Sequence, residues 1–290
     1  MPSIHPKRPS AINPTRPSAI NNVLFLGANG RIGKLIRPFL SQHPALWHAR
    51  VPFKDTHGVD ILNDPKGLEA LMAQADAVVC LAGITPAQDA NMALNVDLAR
   101  ATMNAAQKAQ VGRIILTSSG AVYGKGCGPW SEDGPTAPFA AYGASKLDME
   151  HMAAAHPMAD KTSCLRIGNV AGADAILGKW HADMMLDQLD NGRAPRRSYI
   201  GPHTLAQTLW TLATGNMPPF LLNIAAPGTI CMDALLDAAH LPFGYRTPHA
   251  GVTADVNLCT KRLETLMTFT PEDSTAQSMV AQWRESTGAL

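Results

Sequence analysis

Charge of either sign is scarce in this sequence: 24 Lys and Arg stand against 23 Asp and Glu among 290 residues, for a net charge of +1. Without a basic excess no stripe of cations is available to displace counterions, which argues against a nucleic-acid partner or an acidic membrane surface. Cysteine is also sparse. Cys80, Cys127, Cys164, Cys231 and Cys259 contain no Cys-x-x-Cys pair and are odd in number, so they read as reduced thiols of a cytoplasmic protein, with neither a disulfide frame nor a metal site. No stretch approaches the 18 or so uninterrupted apolar residues from which a membrane span is read.

What remains is an ordinary globular composition, 46% hydrophobic over a length that suits one large domain or two unequal parts sharing a core. The start is the exception. Residues 1–22 hold five prolines and carry Arg-Pro-Ser-Ala-Ile-Asn twice, at Arg8 to Asn13 and Arg16 to Asn21. The segment lacks the apolar run of a signal peptide and is expected to be a flexible leader.

From residue 23 the pattern is strand, turn, helix, repeated. Val23-Leu24-Phe25-Leu26 reads as a buried strand and runs into Gly27-Ala28-Asn29-Gly30-Arg31-Ile32-Gly33, after which an amphipathic stretch continues to about Ser41. That context suits a dinucleotide turn: the glycines let backbone approach a pyrophosphate, whose charge sits at a helix N-terminus. Further strands are expected at Trp47 to Val51, Ala77 to Gly83, Arg113 to Ser119, Lys161 to Ile167 and Phe220 to Ile224. Helices are expected at Pro65 to Gln74, Asn91 to Ala109, Ala140 to His156, Gly178 to Asp190, His203 to Thr214 and Met232 to His240. Alternation of buried strands with helices predicts an α/β fold with a doubly wound parallel sheet, Rossmann-like. The expected division is a dinucleotide-binding domain over 23–168 and, over 169–290, a smaller part that is mainly substrate-binding, with some segments returning to the sheet.

Two local features bear on chemistry. Between Gly33 and Lys54 there is no Asp or Glu to bond a ribose 2′-hydroxyl, whereas Arg31, Arg50 and Lys54 are there to meet a 2′-phosphate. This favours NADP, while Asp55 keeps NAD open. On the helix from Ala140, Tyr142 and Lys146 are four residues apart and share a face. A neighbouring ammonium would bring a phenol, ordinarily titrating near pH ~10, toward working pH and make it a usable base. Ser119, at a strand end, is available to hold a substrate oxygen on which charge develops.

In order and spacing these pieces resemble the extended short-chain dehydrogenase/reductase family, also called the NAD-dependent epimerase/dehydratase family. The matching segments are Gly27 to Gly33; Asp60-Ile61; Leu81-Ala82-Gly83; Asn95-Val96; Ser118-Ser119-Gly120-Ala121-Val122-Tyr123-Gly124; Ser131-Glu132-Asp133; Tyr142-Gly143-Ala144-Ser145-Lys146; and Leu165-Arg166-Ile167-Gly168-Asn169-Val170. The resemblance implies that Tyr142 is the acid/base, that Lys146 lowers its pKa and bonds the nicotinamide ribose, and that Ser119 polarises the substrate. It also implies cofactor contacts from Gly27, Asn29, Gly30, Arg31, Ile32, Gly33, Arg50, Asp60, Ile61 (the adenine pocket), Leu81, Ala82, Gly83, Asn95, Thr117 and Ile167. Ser118, Tyr123, Asn169 and Arg197 fall at substrate-side positions, although Tyr123 also suits a packed aromatic supporting the serine loop. Arg166 is placed beside the active site, where it also suits a purely structural carboxylate partner. A homodimer through the helices at Asn91 to Ala109 and Ala140 to His156 is implied in the same way.

One departure concerns the substrate. Only Val170 to Arg196 separates Asn169 from Arg197-Ser198-Tyr199-Ile200, and Gly201-Pro202-His203-Thr204 replaces the family's usual His-Val-Asp-Asp. The room for a diphosphate-linked substrate looks curtailed. The expected function is therefore NAD(P)-dependent hydride transfer at a carbinol or carbonyl carbon of a small sugar, sugar acid, lactone or related alcohol or ketone. A nucleotide-sugar epimerase with shortened loops is the alternative, a dehydratase is less favoured because Ser118-Ser119-Gly120 carries no acid, and a non-catalytic NADP-binding regulator is a reading of another class.

Overall fold

The chain was analysed as a computed structural model, which describes residues 20–87 and 90–288. Most of the expected leader lies outside the described residues. Its last three positions do not behave as leader: Ile20 packs against the core, and the amides of Asn21 and Asn22 donate to Asp76 Oδ2 at 2.8 and 3.0 Å.

The first half runs β1 (Val23–Leu26), α1 (Arg31–Ile36), β2 (Ala45–Ala49), β3 (His57–Gly58), α2 (Pro65–Met72), β4 (Ala77–Cys80), α3 (Leu94–Lys108), β5 (Arg113–Ser119), α4 (Ala141–Ala154) and β6 (Thr162–Ile167). The start of α2 is written locally: Asp64 caps it by accepting from Gly67 N at 2.9 Å, and Pro65 occupies the first turn, where its missing N–H is no loss. The second half adds β7 (Asn169–Val170), β8 (Met185–Asp187), β9 (Arg196–Arg197), β10 (Tyr199–Ile200), α5 (Pro202–Thr214), β11 (Leu221–Ile224), β12 (Ile230–Cys231), α6 (Met232–Ala239), β13 (Gly244–Arg246), β14 (Asp255–Val256), α7 (Lys261–Glu264) and α8 (Ala276–Thr287). No helix among the described residues is long and apolar enough to cross a membrane.

Seven strands form one sheet in the order β11-β6-β5-β4-β1-β2-β3, every neighbouring pair parallel. Because successive side chains of a strand face opposite ways, each strand feeds two cores. Phe25, Val79, Ile115, Leu165 and Leu222 pack on the side of α1 and α5 with Ile36, Leu205 and Leu209. Leu24, Leu26, Val78, Ile114 and Leu116 pack on the other side against Leu68, Met72, Met103 and Met149 of α2, α3 and α4. Burial on both faces is why these strands read as continuous apolar runs. A third cluster, built on Leu186, Tyr199, Leu235, Leu236, Met279 and Val280, forms the core of the smaller C-terminal part. Arg113, buried at the start of β5, ties the two halves by donating through Nη1 to the carbonyls of Leu212, Ala213 and Gly215 at the end of α5, each at 2.9 Å. The cation also opposes the negative pole of that helix.

The expected helix over 178–190 is absent. Met184 and Leu186 are buried while Met185 between them is 44% exposed, the alternation of a strand, and β8 pairs in parallel with β13. Helical spacing over so short a window was outweighed by a partner strand about sixty residues away. Other boundaries moved by a few residues, β2 ending at Ala49 rather than Val51 and β4 at Cys80 rather than Gly83.

Two glycines explain how α1 can lie so close to β1. Gly27 has φ +100°, and a Cβ there would stand 2.8 Å from Ala82 N; a Cβ on Gly33 would collide with Gly27 O and lie 2.8 Å from Ala28 O. Gly33→Ala is therefore expected to destabilise the chain by about 1–3 kcal/mol, as overpacking does, lowering the midpoint of thermal denaturation by at least about 2 °C. An unchanged midpoint would show that the turn is not under this constraint.

Candidate functional site

In an open parallel sheet the crevice forms where strand order reverses, at the carboxyl ends of the strands. Here the reversal falls between β1 and β4, and a cleft of about 620 Å³ lies over it. Its lining includes Asn29, Gly30, Arg31 and Ile32 from the glycine turn, Leu81 and Gly83 after β4, and Thr117, Ser118 and Ser119 at the end of β5. Tyr142 and Lys146 of α4 complete it, with Ile167 and Asn169 at and beyond the end of β6. Thirteen of the residues singled out from sequence are thus brought to one place.

The others are distributed around it. Gly27 and Gly33 act behind the turn as spacers. Ala82 packs beneath it against the second core, and Ile61, 6% exposed, belongs to that same core. Asp60 accepts from the amides of Leu62 and Asn63, both at 3.0 Å, and the side chain of Asn63, ahead of these amides, holds its carboxyl below the ordinary range. Arg50 is exposed just beyond β2. Asn95 does not line the cleft; it accepts from Ile84 N at 2.9 Å and donates to Ile84 O and Ser145 Oγ, each at 3.1 Å, clamping the turn after β4 to α4.

Two substrate-side expectations need correction. Tyr123 is 1% exposed, its hydroxyl donating to Asn223 Oδ1 at 2.7 Å and accepting from Arg166 Nη1 at 3.0 Å, so it is a packed support and not a wall of the cleft. Ser118 reaches the cleft, but its hydroxyl is committed to Glu150 Oε1 at 2.5 Å. Ser119 is the serine whose hydroxyl meets the phenol of Tyr142 while also accepting from Ala121 N at 3.2 Å.

The electrostatics differ from the expectation for Tyr142. Burial pushes its phenol above the ordinary value, opposed by the hydrogen bond from Ser119 and the charge of Arg31. Lys146 is turned elsewhere: Nζ stands 5.9 Å from the Tyr142 ring centre and donates to Thr117 O at 2.8 Å. Burial brings Lys146 itself down to about 8. Arg31 reaches across the cleft to Ala173 O at 2.8 Å. The far wall, Ala173, Asp174 and Lys179, carried no sequence signal, because it is loop brought over the cleft by β7 and β10 rather than a strand end.

A second cleft of about 540 Å³ adjoins the first, sharing Pro86 and Tyr142, and holds Lys125, Phe139, Asp187, Arg197, Arg246 and His249. Asp187 is paired with Arg246 at 2.9 Å. Arg197 donates through Nη1 to two carbonyls, Arg196 O at 2.6 Å and Thr253 O at 2.9 Å. Arg197 therefore belongs to this second space, of which Tyr142 is also a wall.

Comparison with known proteins agrees with the architecture. The sequence pattern of the NAD dependent epimerase/dehydratase family matches residues 23–194. No curated protein matches the chain. Among solved structures, UDP-glucose 4-epimerase from Brucella ovis in complex with NAD superposes with a TM-score of 0.75 at 19% identity, over 90% of this chain and 96% of that one. The NAD-dependent NDP-hexosamine 5,6-dehydratase TunA, involved in tunicamycin biosynthesis, gives 0.74 at 17% identity, covering 93% and 98%. MoeE5 in complex with UDP-glucose and NAD gives 0.72 at 21%, covering 92% and 98%.

The sequence has four tyrosines. Burial raises Tyr123 to about 12 and, with Asp233 beside it, Tyr245 to about 12; burial beside Asp174 lifts Tyr199 well above its ordinary value. Tyr142 alone has both a hydroxyl partner and a cation pulling it back. In an alkaline spectrophotometric titration of the free protein, the first phenolate to form is expected to vanish in Tyr142→Phe and to form at higher pH in Ser119→Ala. A first phenolate that survives Tyr142→Phe would contradict this.

Proposed function

This chain belongs to the NAD dependent epimerase/dehydratase family, and on that premise we propose that it is a nicotinamide-dinucleotide-dependent oxidoreductase acting at a carbinol or carbonyl carbon of a sugar-like substrate. The observation that carries the reading is the convergence of Ser119, Tyr142 and Lys146 on one cleft whose other end is the glycine turn.

The cleft fits such a cofactor. Its volume is in the range of about 300–1,000 Å³ common to ligand sites, and Gly83 keeps its floor open, since a Cβ there would stand 3.0 Å from Asn95 Oδ1 and 3.2 Å from Lys146 Nζ. The amides of the first turn of α1, which have no acceptor within a helix, suit the pyrophosphate; Lys146 suits the nicotinamide ribose. When bound, the dinucleotide supplies or accepts the hydride. Tyr142 Oη would then give or take the proton at the substrate oxygen, Ser119 Oγ would hold that oxygen, and the Lys146 ammonium, 5.9 Å from the ring centre, would favour the phenolate. For the ribose phosphate the favoured form is NADP: Asp55, the one acid near the end of β2, is engaged by Arg37, while Arg50 stands exposed.

The second cleft is the proposed seat of the substrate. Arg197, whose guanidinium is answered by carbonyls, suits an acidic group such as the carboxylate of a sugar acid. A nucleotide-sugar epimerase is the second reading, and the observation that favours it is the size of this cleft, which exceeds the needs of a free sugar.

Fluorescence titration is expected to show tighter binding of NADPH than NADH; a tenfold preference for NADH would overturn the cofactor assignment. In a panel of sugars, sugar acids, lactones and nucleotide sugars, net change in nicotinamide absorbance marks a dehydrogenase, and conversion without net change marks an epimerase. Tyr142→Phe is expected to lower turnover by about 10²–10⁴-fold, and unchanged turnover would remove Tyr142 from the proton-handling role.

A further inference from the structure

Behind the cleft, α4 meets the end of β5 through three side chains on one helical face. Tyr142, Lys146 and Glu150 follow one another at intervals of four, and they engage Ser119 Oγ, Thr117 O and Ser118 Oγ, three consecutive residues of β5. The third contact is the most enclosed. Glu150 is 0% exposed; besides the 2.5 Å bond from Ser118, it receives Arg166 Nε at 3.0 Å on Oε1 and Arg166 Nη2 at 2.7 Å on Oε2. Arg166, 1% exposed, spends Nη1 on Tyr123 Oη and on Glu132 O at 3.3 Å.

We propose that Glu150 is the positioning residue for Lys146: fixed by Ser118 and Arg166, its carboxylate sets the α4 face against β5 and lends a negative charge to the ammonium one turn away. The proposal rests on the oxidoreductase reading for its functional meaning. A buried ion pair gains little stability over an apolar pair of similar shape, so stability alone does not account for a carboxylate here. Its neighbours do. The groups acting on Lys146 are Cys80 from β4, Cys164 from β6 and Glu150 from its own helix, and Tyr142 lies beside it. Burial pushes both thiols up, and the Tyr142 phenol as well, so none of these is an anion at neutral pH. Asn95 of α3, which closes the remaining side by way of Gly83, is uncharged. Glu150 is the one anion in that set, and it opposes the burial that already brings Lys146 to about 8. Without it, and with the Arg166 cation left unpaired, the ammonium would lose its proton at lower pH. The alkaline limb of kcat/KM would then move to lower pH.

The test needs no substrate. In full-length protein carrying lysine labelled with ¹³C at Cε, the Lys146 resonance, assigned by its loss in Lys146→Arg, is titrated by NMR. The wild type is expected to titrate near pH 8, Glu150→Gln about one pH unit lower, and Glu150→Asp near the wild-type value. Should Glu150→Gln leave Arg166 uncompensated and fail to fold, Glu150→Leu with Arg166→Met removes both charges from an apolar pocket and is expected to show a smaller fall in the same direction, because the cation leaves with the anion. A midpoint unmoved in the folded variant overturns the proposal. A shifted midpoint in a protein that transfers no hydride to any substrate supports the coupling and refutes the activity reading, so the two failures are distinct.

Discussion

The candidate site depends on how one helix is fixed to the end of one strand. Tyr142, Lys146 and Glu150 of α4 each find a partner among Thr117, Ser118 and Ser119 of β5, and α4 is otherwise held by the Asn95–Ser145 hydrogen bond and by apolar contacts that specify position far less sharply. Hydrogen bonds to a charged group are about twice as strong as neutral ones and directional. The buried Glu150 carboxylate therefore sets the rotation of α4, and that rotation decides where the Tyr142 phenol points. From Arg166 the same network extends through Tyr123 to Asn223 of β11, and Asn223 in turn binds Trp130 O and Cys259 O at 2.8 and 3.1 Å. The floor of the cleft and the loops of the C-terminal part are thereby tied to one framework.

The other end of the cleft is governed by sterics rather than charge. Gly27 and Gly33 let α1 lie against β1 and Ala82, and the start of α1 lines the crevice with Gly30, Arg31 and Ile32. The sheet places both devices at its switch point, one on β1 and the other on β5, so a dinucleotide laid across the strand ends would meet the glycine turn with its phosphates and α4 with its reactive end. The second cleft opens on the same Tyr142, and this shared wall makes a two-ligand reaction geometrically reasonable.

Much of this was legible in the sequence because it is local. Strands buried on both faces are apolar runs, glycine turns have fixed spacing, and Tyr142 and Lys146 share a face by helical periodicity; the strand over Arg113–Ser119 and the helix carrying Tyr142 came out within two residues of their observed ends. What failed was non-local. The segment around Met185 became a strand because β13 pairs with it, and Tyr123 left the substrate side because Arg166 and Asn223 claim its hydroxyl. The role of Lys146 also changed. Spacing suggested an ammonium acting directly on the phenol, whereas in the free protein it is bound to Thr117 O and the phenol is raised by burial, against the pull of Ser119 and Arg31. Spacing reports which face a side chain shares but not which acceptor wins it.

The most direct measurement of the central claim is a crystal structure of the chain with bound NADPH. The account predicts the pyrophosphate against the glycine turn and the nicotinamide ring beside Tyr142 and Ser119, with Lys146 Nζ on its ribose and the adjoining cleft open toward the ring. A dinucleotide bound away from Tyr142, or a ring facing away from the cleft that holds Arg197, would contradict it.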